Sequence, residues 1–401
     1  MIPRILEVQI RGYRSIAEAR ASLEPFTAFV GPNGSGKSNF IDALAFVQEC
    51  LDESVEFALK NRGGTKSVAR RSGRRPWNIG IRLSMALPDD LRADYSFEIA
   101  PHEAGAFSIA RERCVLQRFM GPESAFEVEN GQFSKPIPDI RPRIWPDRLA
   151  LFAASATEEF RPVYDFLTSM RFYSVVPVRL RELQAPDPGL YLKRDASNAA
   201  AVLKRLAAQS DGSKDYQRLC RLLSRVVQGL QKVEYHAVGQ KETLQFIQDI
   251  GLSRAERFEA LNMSDGTLRA LGVLLAVYQP GAASVVAIEE PEATVHPAVM
   301  ELIVDVLMDA ANTRQILITT HSPDVLDHKG LEDRHIRAVA LDQGRTLLCP
   351  LSNTSRQVVR DGLYTPGELL RSGELNPDVA AAKTEQLDLF GPCPAPDSHI
   401  E

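Results

Sequence analysis

The sequence lacks most of what would staple a chain, anchor it in a membrane or commit its whole surface to one partner. Its five cysteines stand apart at 50, 114, 220, 349 and 393, none in a C-x-x-C pair and none beside a histidine cluster. That spacing argues against a zinc site and a disulfide scaffold, and scattered thiols in odd number fit a reducing cytoplasm. The longest apolar run, LGVLLAVY at 271–278, falls far short of the ~20 residues of a membrane span. The N-terminus, MIPRILEVQIRGYRS, is interrupted by charge too early for a signal peptide. An excess of charge is also missing. Lys plus Arg is 47 and Asp plus Glu is 52, a net −5, which excludes a surface that grips nucleic acid throughout and leaves room for a local basic groove. No internal repeat and no sustained heptad run is visible. What remains is 401 residues, 44% hydrophobic and 25% charged, the balance of a soluble globular protein of two to three domains.

Periodicity predicts the elements. ILEVQI alternates, and FTAFV at 26–30 is a short apolar strand ending in a glycine-rich turn. A helix follows within GPNGSGKSNFIDALAFVQECL, with Ile41, Leu44, Ala45 and Leu51 on its apolar stripe. Residues 60–75 read as a basic loop. Segments 78–87, 95–100 and 107–116 alternate as an antiparallel sheet would, and prolines 136, 138, 142 and 146 mark an irregular stretch. Helices are expected within 147–170, a buried strand over 171–178, and helices over 195–209 and 214–230, the first preceded by Asp195 as an N-cap. KVEYHAV and ETLQFIQDI form a hairpin. From 264 the rhythm becomes helix, strand, helix, strand, the mark of a parallel α/β sheet. Strands RAVAL and TLLCPL, a short helix near 366–372 and a polar, proline-containing disordered tail over 378–401 complete the reading. The expected division is 1–180, an N-terminal lobe with the phosphate loop and antiparallel sheet; 181–263, a helical lobe and hairpin; 264–350, the rest of the α/β core; 351–377, a C-terminal helical segment; and 378–401.

Four motifs carry chemistry. Gly31-Pro32-Asn33-Gly34-Ser35-Gly36-Lys37-Ser38 fits G-x-x-x-x-G-K-[ST] between a strand and a helix. Glycines let the loop aim several N–H groups at one anion, and the helix adds its positive end. Lys37 supplies charge to the β- and γ-phosphates, and Ser38 a hydroxyl to Mg²⁺. Next, SVVAIEEPE delivers Glu289 and Glu290 at the C-terminal end of an apolar strand, one to hold Mg²⁺ and one to act as general base toward water. In ILITTHSP, His321 ends another buried strand, where an imidazole can donate to a γ-phosphate. Finally, Met263-Ser264-Asp265-Gly266-Thr267 opens a helix with a serine and a glycine, a second anion cradle that one nucleotide needs only if it comes from another chain.

Together, GPNGSGKSN, SDGTLRAL, EEPE, HP and TTHSP resemble the ABC-type ATPases of the SMC, RecF and OLD group, whose members often carry an AAA-type ATPase-core label. IRGYRSI near the start is similar to the group's first strand. The resemblance implies a P-loop NTPase fold of α/β class, an ABC-type head with an antiparallel β subdomain and a helical lobe, and ATP and Mg²⁺ as cofactors. It makes Gly31 to Ser38 the Walker A loop and Ser264 to Thr267 the signature. Glu289 becomes the Walker B carboxylate and Glu290 the catalytic glutamate. His296 falls at the D-loop position, His321 is the switch histidine, and Arg14 reaches the nucleotide. Asp265 and Thr267 depart from a transporter-type signature, Glu289 stands for an Asp, and His296 stands for a D-loop Asp. These departures point to the RecF- and OLD-like branch. Gln184 is the only position suggested for a Q-loop glutamine.

The implied activity is Mg-dependent ATP hydrolysis by a homodimer closed around ATP. The distance from Ser38 to Ser264 is too short for a long coiled-coil arm, and the residues after His321 hold no metal-carboxylate set for an appended nuclease. Two roles stay open: an ATP-driven module in DNA repair or recombination, and an ATPase sensor or scaffold for a separate effector such as a nuclease in anti-phage defence. A transporter ATPase ranks third, since no membrane partner is expected. Lys60, Arg62, Lys66, Arg70, Arg71, Arg74 and Arg75, with no acid among them, read as a solvated loop or as a contact to DNA phosphates. LYTPGEL at 363–369 reads as a turn and a capped helix.

Overall fold

The computed structural model describes residues 2–71, 76–118, 121–138, 140, 142–208, 212–281, 283–382 and 388–391. The organising element is a six-stranded sheet in the order Arg345–Cys349, Ile336–Asp342, Phe26–Val30, Gln315–Thr320, Val285–Glu289, Arg171–Tyr173. All neighbours are parallel except the antiparallel edge pair Arg345–Cys349 and Ile336–Asp342. Its central strands are continuous apolar runs because both faces are covered. Val285, Ala287 and Leu317 face one core, and Val286, Ile288, Ile316 and Ile318 the other.

The first core is closed by an antiparallel sheet of seven strands, in the order Ile16–Ser22, Arg4–Tyr13, Ile79–Leu87, Leu91–Pro101, Phe107–Arg118, Ser124–Glu129, Gln132–Lys135. Its inward residues, among them Ile79, Ile81, Leu83, Tyr95 and Phe97, pack with the helix Lys37–Asp52, which is wedged between the two sheets. Ile41, Leu44, Ala45 and Leu51 are buried on that helix, as the stripe requires. The second core joins the helices Ala199–Ala208, Asp265–Tyr278 and Pro297–Ala310 to a small sheet of Leu230–Val238, Lys241–Gln248 and Glu256–Glu259. Parallel strands put their C-terminal ends on one edge. Val30, Glu289 and Thr320 therefore end together, and the residues that follow each of them meet.

Several sequence expectations change. The strand over 171–178 stops at Tyr173, because Pro177 opens the helix Pro177–Arg181 at a position where its missing N–H costs nothing. Within 147–170 there are two short helices, Ala150–Ala154 and Arg161–Thr168. The basic loop follows the helix Val55–Lys60, capped by Ser54, and itself contains a turn of helix over Thr65–Val68. Arg62 is no solvated base: only 4% exposed, it pairs with Asp42 at 3.1 Å and Glu49 at 2.7 Å. Arg70 is also engaged, donating to the carbonyls of Ser15 and Gly344. Arg74 and Arg75 lie outside the described residues. Gln184 is committed elsewhere; its side chain accepts from the Ala200 N–H and its backbone pairs with Glu242.

The expected tail is structured in two places. Residues Val379–Ala382 are helical, and residues 388–391 lie on the outer face of the seven-stranded sheet, with Leu389 buried. The remaining positions, 383–387 and 392–401, lie outside the described residues. The 363–369 segment ends in the helix Pro366–Ser372, where Thr365 and Glu368 form a reciprocal capping box. Gly367 sits so close to the Pro323 carbonyl that a Cβ would come within 2.4 Å of it. Arg371 binds Asp324 and Asp327, which fastens this helix to the turn that follows His321.

Candidate functional site

The phosphate loop connects Phe26–Val30 to the helix Lys37–Asp52. Gly36 is the N-cap at φ 104°, a left-handed conformation, and a Cβ there would meet the Thr346 hydroxyl at 2.1 Å. That hydroxyl donates to the Ser35 carbonyl at 2.8 Å and lies 2.7 Å from Ser15 Oγ, which in turn accepts from Asn39. The loop is thus braced from below by the Arg345–Cys349 strand. Lys37 is buried, and its Nζ donates to the carbonyls of Gly31 and Pro32 at 2.7 and 3.0 Å. Burial lowers its pKa, against the pull of Glu290 and Glu292. Ser35 Oγ is buried without a partner among the described residues. A glycine loop at a helix N-terminus, a lysine held over it and a spare hydroxyl suit a nucleotide's phosphates.

Beside the loop lies a cavity of about 270 Å³, lined by Ser38, Asp42, Glu289, Arg14, Arg62 and Arg194 among others. Ser38 and Glu289, two of the oxygen donors expected at a magnesium site, face the same space, so the residues fit that ion. Arg14 occupies a left-handed turn at φ 47° and reaches Asp42 at 3.1 Å. Asp42 is held below the ordinary carboxylate range: burial raises its pKa, but Arg62, the Tyr13 hydroxyl and Arg14 together outweigh that. Arg194, which sequence reasoning missed, donates to Glu289 at 2.8 Å and lies 3.6 Å from Asp42.

One residue past Glu289 the backbone turns sharply. Glu290 has φ 44°, a strained value for a non-glycine residue, and its N–H is held by the Thr319 carbonyl at 3.0 Å and hydroxyl at 3.2 Å. The turn brings the Glu290 carboxylate within 3.4 Å of His321 Nδ1. Glu292, which closes the EEPE motif, is 8% exposed; it accepts from the Thr320 hydroxyl at 2.6 Å and the His321 N–H at 3.2 Å, and its second oxygen has no partner among the described residues. Glu292 thereby fixes the backbone that carries His321. A hollow of about 310 Å³ opens beside this cluster, between His321, Ser322, Thr294 and Pro297. His296 caps the helix Pro297–Ala310 through Nδ1 rather than reaching into the cluster.

Ser264 caps the helix Asp265–Tyr278, accepting from the Thr267 N–H at 3.2 Å. Gly266 lies against the turn after Glu292, where a Cβ would come 2.7 Å from the Thr294 carbonyl. Arg181 secures the approach to this helix, donating to the Met263 carbonyl at 2.8 Å and pairing with Asp265 at 2.5 Å. Arg269, one turn further on, has its pKa lowered by burial, against the attraction of Glu290, Glu292 and Asp265. No spacing rule marks Arg181 or Arg194, because their partners are distant in sequence. No helix among the described residues is long and apolar enough to cross a membrane.

Two solved structures share this architecture. An Smc head bound to the C-winged helix domain of ScpA aligns over 88% of this chain and 99% of its own, at 13% identity and a TM-score of 0.52. An Smc head with an extended coiled coil, bound to the C-terminal domain of ScpA derived from Pyrococcus furiosus, aligns over 90% and 100%, at 11% identity and a TM-score of 0.53. At such identity the likeness speaks for the fold, that of a P-loop ATPase head. The sequence itself matches, over 26–103 and 167–327, the family described as "AAA domain, putative AbiEii toxin, Type IV TA system". Those two blocks hold the phosphate loop, the helix that Ser264 caps, both strand-end glutamates and His321, and with more than half of its length matched the chain belongs to this AAA domain family.

Proposed function

We propose that the chain is a Mg-dependent ATP hydrolase of the ABC type that closes as a homodimer around ATP. The observation that carries this reading is the meeting of Lys37, Glu289, Glu290 and His321 at one edge of the central sheet. Lys37 would leave the Gly31 and Pro32 carbonyls for the β- and γ-phosphates. Ser38 and Glu289 would hold Mg²⁺, which would supply positive charge to offset that of the phosphates. Arg14 would meet the nucleotide from the first sheet. Glu290 would take a proton from the attacking water, and His321 would orient the γ-phosphate. Ser264 and Gly266 would complete the site of a second copy. Purified protein should hydrolyse ATP only with Mg²⁺, and the Lys37→Ala protein should not; magnesium-independent turnover, or full activity in that variant, would refute the reading.

On the biological role, two observations favour the sensor or scaffold for a separate effector in anti-phage defence over the DNA-repair module of RecF- or OLD-like type. The basic run loses Arg62 and Arg70 to internal contacts, which weakens its claim on DNA. The family's description also names a putative toxin and a toxin–antitoxin system rather than DNA repair. DNA-stimulated hydrolysis by the chain alone would reverse that preference.

A further inference from the structure

The outer face of the seven-stranded sheet holds a short turn formed by residues 388–391. Alternation puts Gly80 and Arg82 on this face, and the register brings Gly80 opposite Glu98 and then Arg111, and Arg82 opposite Ser96 and then Arg113. Residues 388–391 lie across these rows. Leu389 is 1% exposed and fills the slot left by Gly80, where a Cβ would come 2.3 Å from the leucine Cδ1. The Arg111 guanidinium carbon stands 4.3 Å from the centroid of the Phe390 ring. Arg82 donates to the Asp388 carbonyl at 3.0 Å, and Arg113 to the carbonyls of Phe390 and Gly391 at 2.6 and 2.9 Å. Asp388 folds the segment on itself by accepting from the Phe390 N–H at 3.1 Å. Arg82 is itself fixed by Asp94 at 2.9 Å, so the site has a rigid floor. Ser96 Oγ, between Arg82 and Arg113 in the register, is buried and without a partner among the described residues.

We propose that this face is a reversible peptide-docking site whose occupant is the chain's own Asp388-Leu389-Phe390-Gly391. The recognition chemistry is legible: one leucine in a glycine-floored slot, one aromatic ring against a guanidinium, and main-chain carbonyls on two arginines. Apart from Leu and Phe the site reads backbone, so a like segment from a second copy or another protein would satisfy it equally. Only one apolar side chain is fully buried, so the intrinsic affinity is of the millimolar-to-tenth-millimolar order expected for so small a contact. Belonging to the same chain gives the segment an effective concentration in the millimolar range, which keeps it bound most of the time and still exchangeable. Release would expose Leu389 and Phe390 as a ready-made ligand and bare the arginine rows.

The test uses the full chain and a fluorescein-labelled peptide spanning residues 384–392. The Leu389→Ser, Phe390→Ser double variant frees the site without touching the sheet. It should bind the peptide at least about fivefold more tightly than the parental chain, whose own segment competes. Adding Arg113→Ala to that variant should abolish binding, and the peptide carrying both serines should not bind either chain. Far-UV circular dichroism confirms that each variant is folded. Equal peptide binding by the parental and double-variant chains, or none by either, would overturn the proposal.

Discussion

Arg194 reaches across the cavity beside the phosphate loop and donates to the Glu289 carboxylate at 2.8 Å, with Asp42 3.6 Å from its other terminal nitrogen. A guanidinium thus sits on the carboxylate expected to serve magnesium. Cation and guanidinium compete for the same oxygens, so Arg194→Ala should tighten divalent binding. With a non-hydrolysable ATP analogue present, Mn²⁺ affinity read by electron paramagnetic resonance should rise about threefold to fivefold, the worth of a half-exposed ion pair. Arg194→Lys should stay near the parental value. An unchanged or weaker affinity in the alanine variant would remove Arg194 from any part in metal loading.

Lys37 and Glu290 should separate binding from turnover. Lys37→Ala removes a buried charge from the cradle and should weaken ATP binding by about tenfold or more. Glu290→Gln keeps the shape of the turn and loses the base, so ATP should bind normally while turnover falls by about 100-fold. Fluorescent-nucleotide titration and single-turnover assays read the two effects. Parental turnover in Glu290→Gln would pass the role to Glu289 or Glu292.

The composite site has its own test. Ser264→Arg would fill the mouth of the signature helix and leave the chain's own phosphate loop intact. The protein should bind ATP and fail to hydrolyse it, and mixing it with Lys37→Ala subunits should restore part of the activity, since one of the two shared sites is then whole. Glu290→Gln should form a tighter dimer with ATP than with ADP by light scattering, because a ligand bound by both chains stabilises their association. Equal size in both nucleotides and no rescue on mixing would leave each chain with a self-contained site.

Stability should depend on pH through Glu112. This carboxyl is fully buried and its pKa is pushed up to about 7, burial outweighing the N–H groups of Ala150 and Leu151 and the hydroxyl of Tyr95. In the unfolded chain it ionises near ~4.3. Between those values the folded protein keeps a proton that the unfolded chain has released. Its contribution is therefore complete below about pH 4 and is lost as pH rises through about 7, a change on the order of 3 kcal/mol. Urea unfolding at a series of pH values should give a shallower fall for Glu112→Gln than for the parental protein; superimposable profiles would show that Glu112 ionises alike in both states.

What could be read from the sequence was whatever depends on neighbours along the chain. The strands at 26–30, 285–289 and 315–320 announce themselves by apolar runs. The phosphate loop announces itself by glycines at fixed spacing, and the helix after Thr365 by its capping box. Contacts between distant residues were silent. Arg62 looked like one base in a basic run because nothing local shows that Asp42 and Glu49 converge on it. Arg194 looked like the residue before a helix cap. Leu389 and Phe390 were hidden by the polar, proline-rich composition around them, and only the assembled sheet reveals the slot that Gly80 leaves.

The fastening of Arg371 to Asp324 and Asp327, reinforced by the Thr365 hydroxyl on Asp327 and by the bare Gly367 against Pro323, has a mechanical consequence. The helix Pro366–Ser372 is riveted to the turn that begins directly after His321. Force applied anywhere on the C-terminal segment is therefore delivered to the histidine's own backbone, and a shift of the histidine is delivered outward by the same rivet. Leu363 and Tyr364, at 66% and 57% exposure, stand at the free end of that lever. A body seated on them would hold a handle on the turn that follows His321.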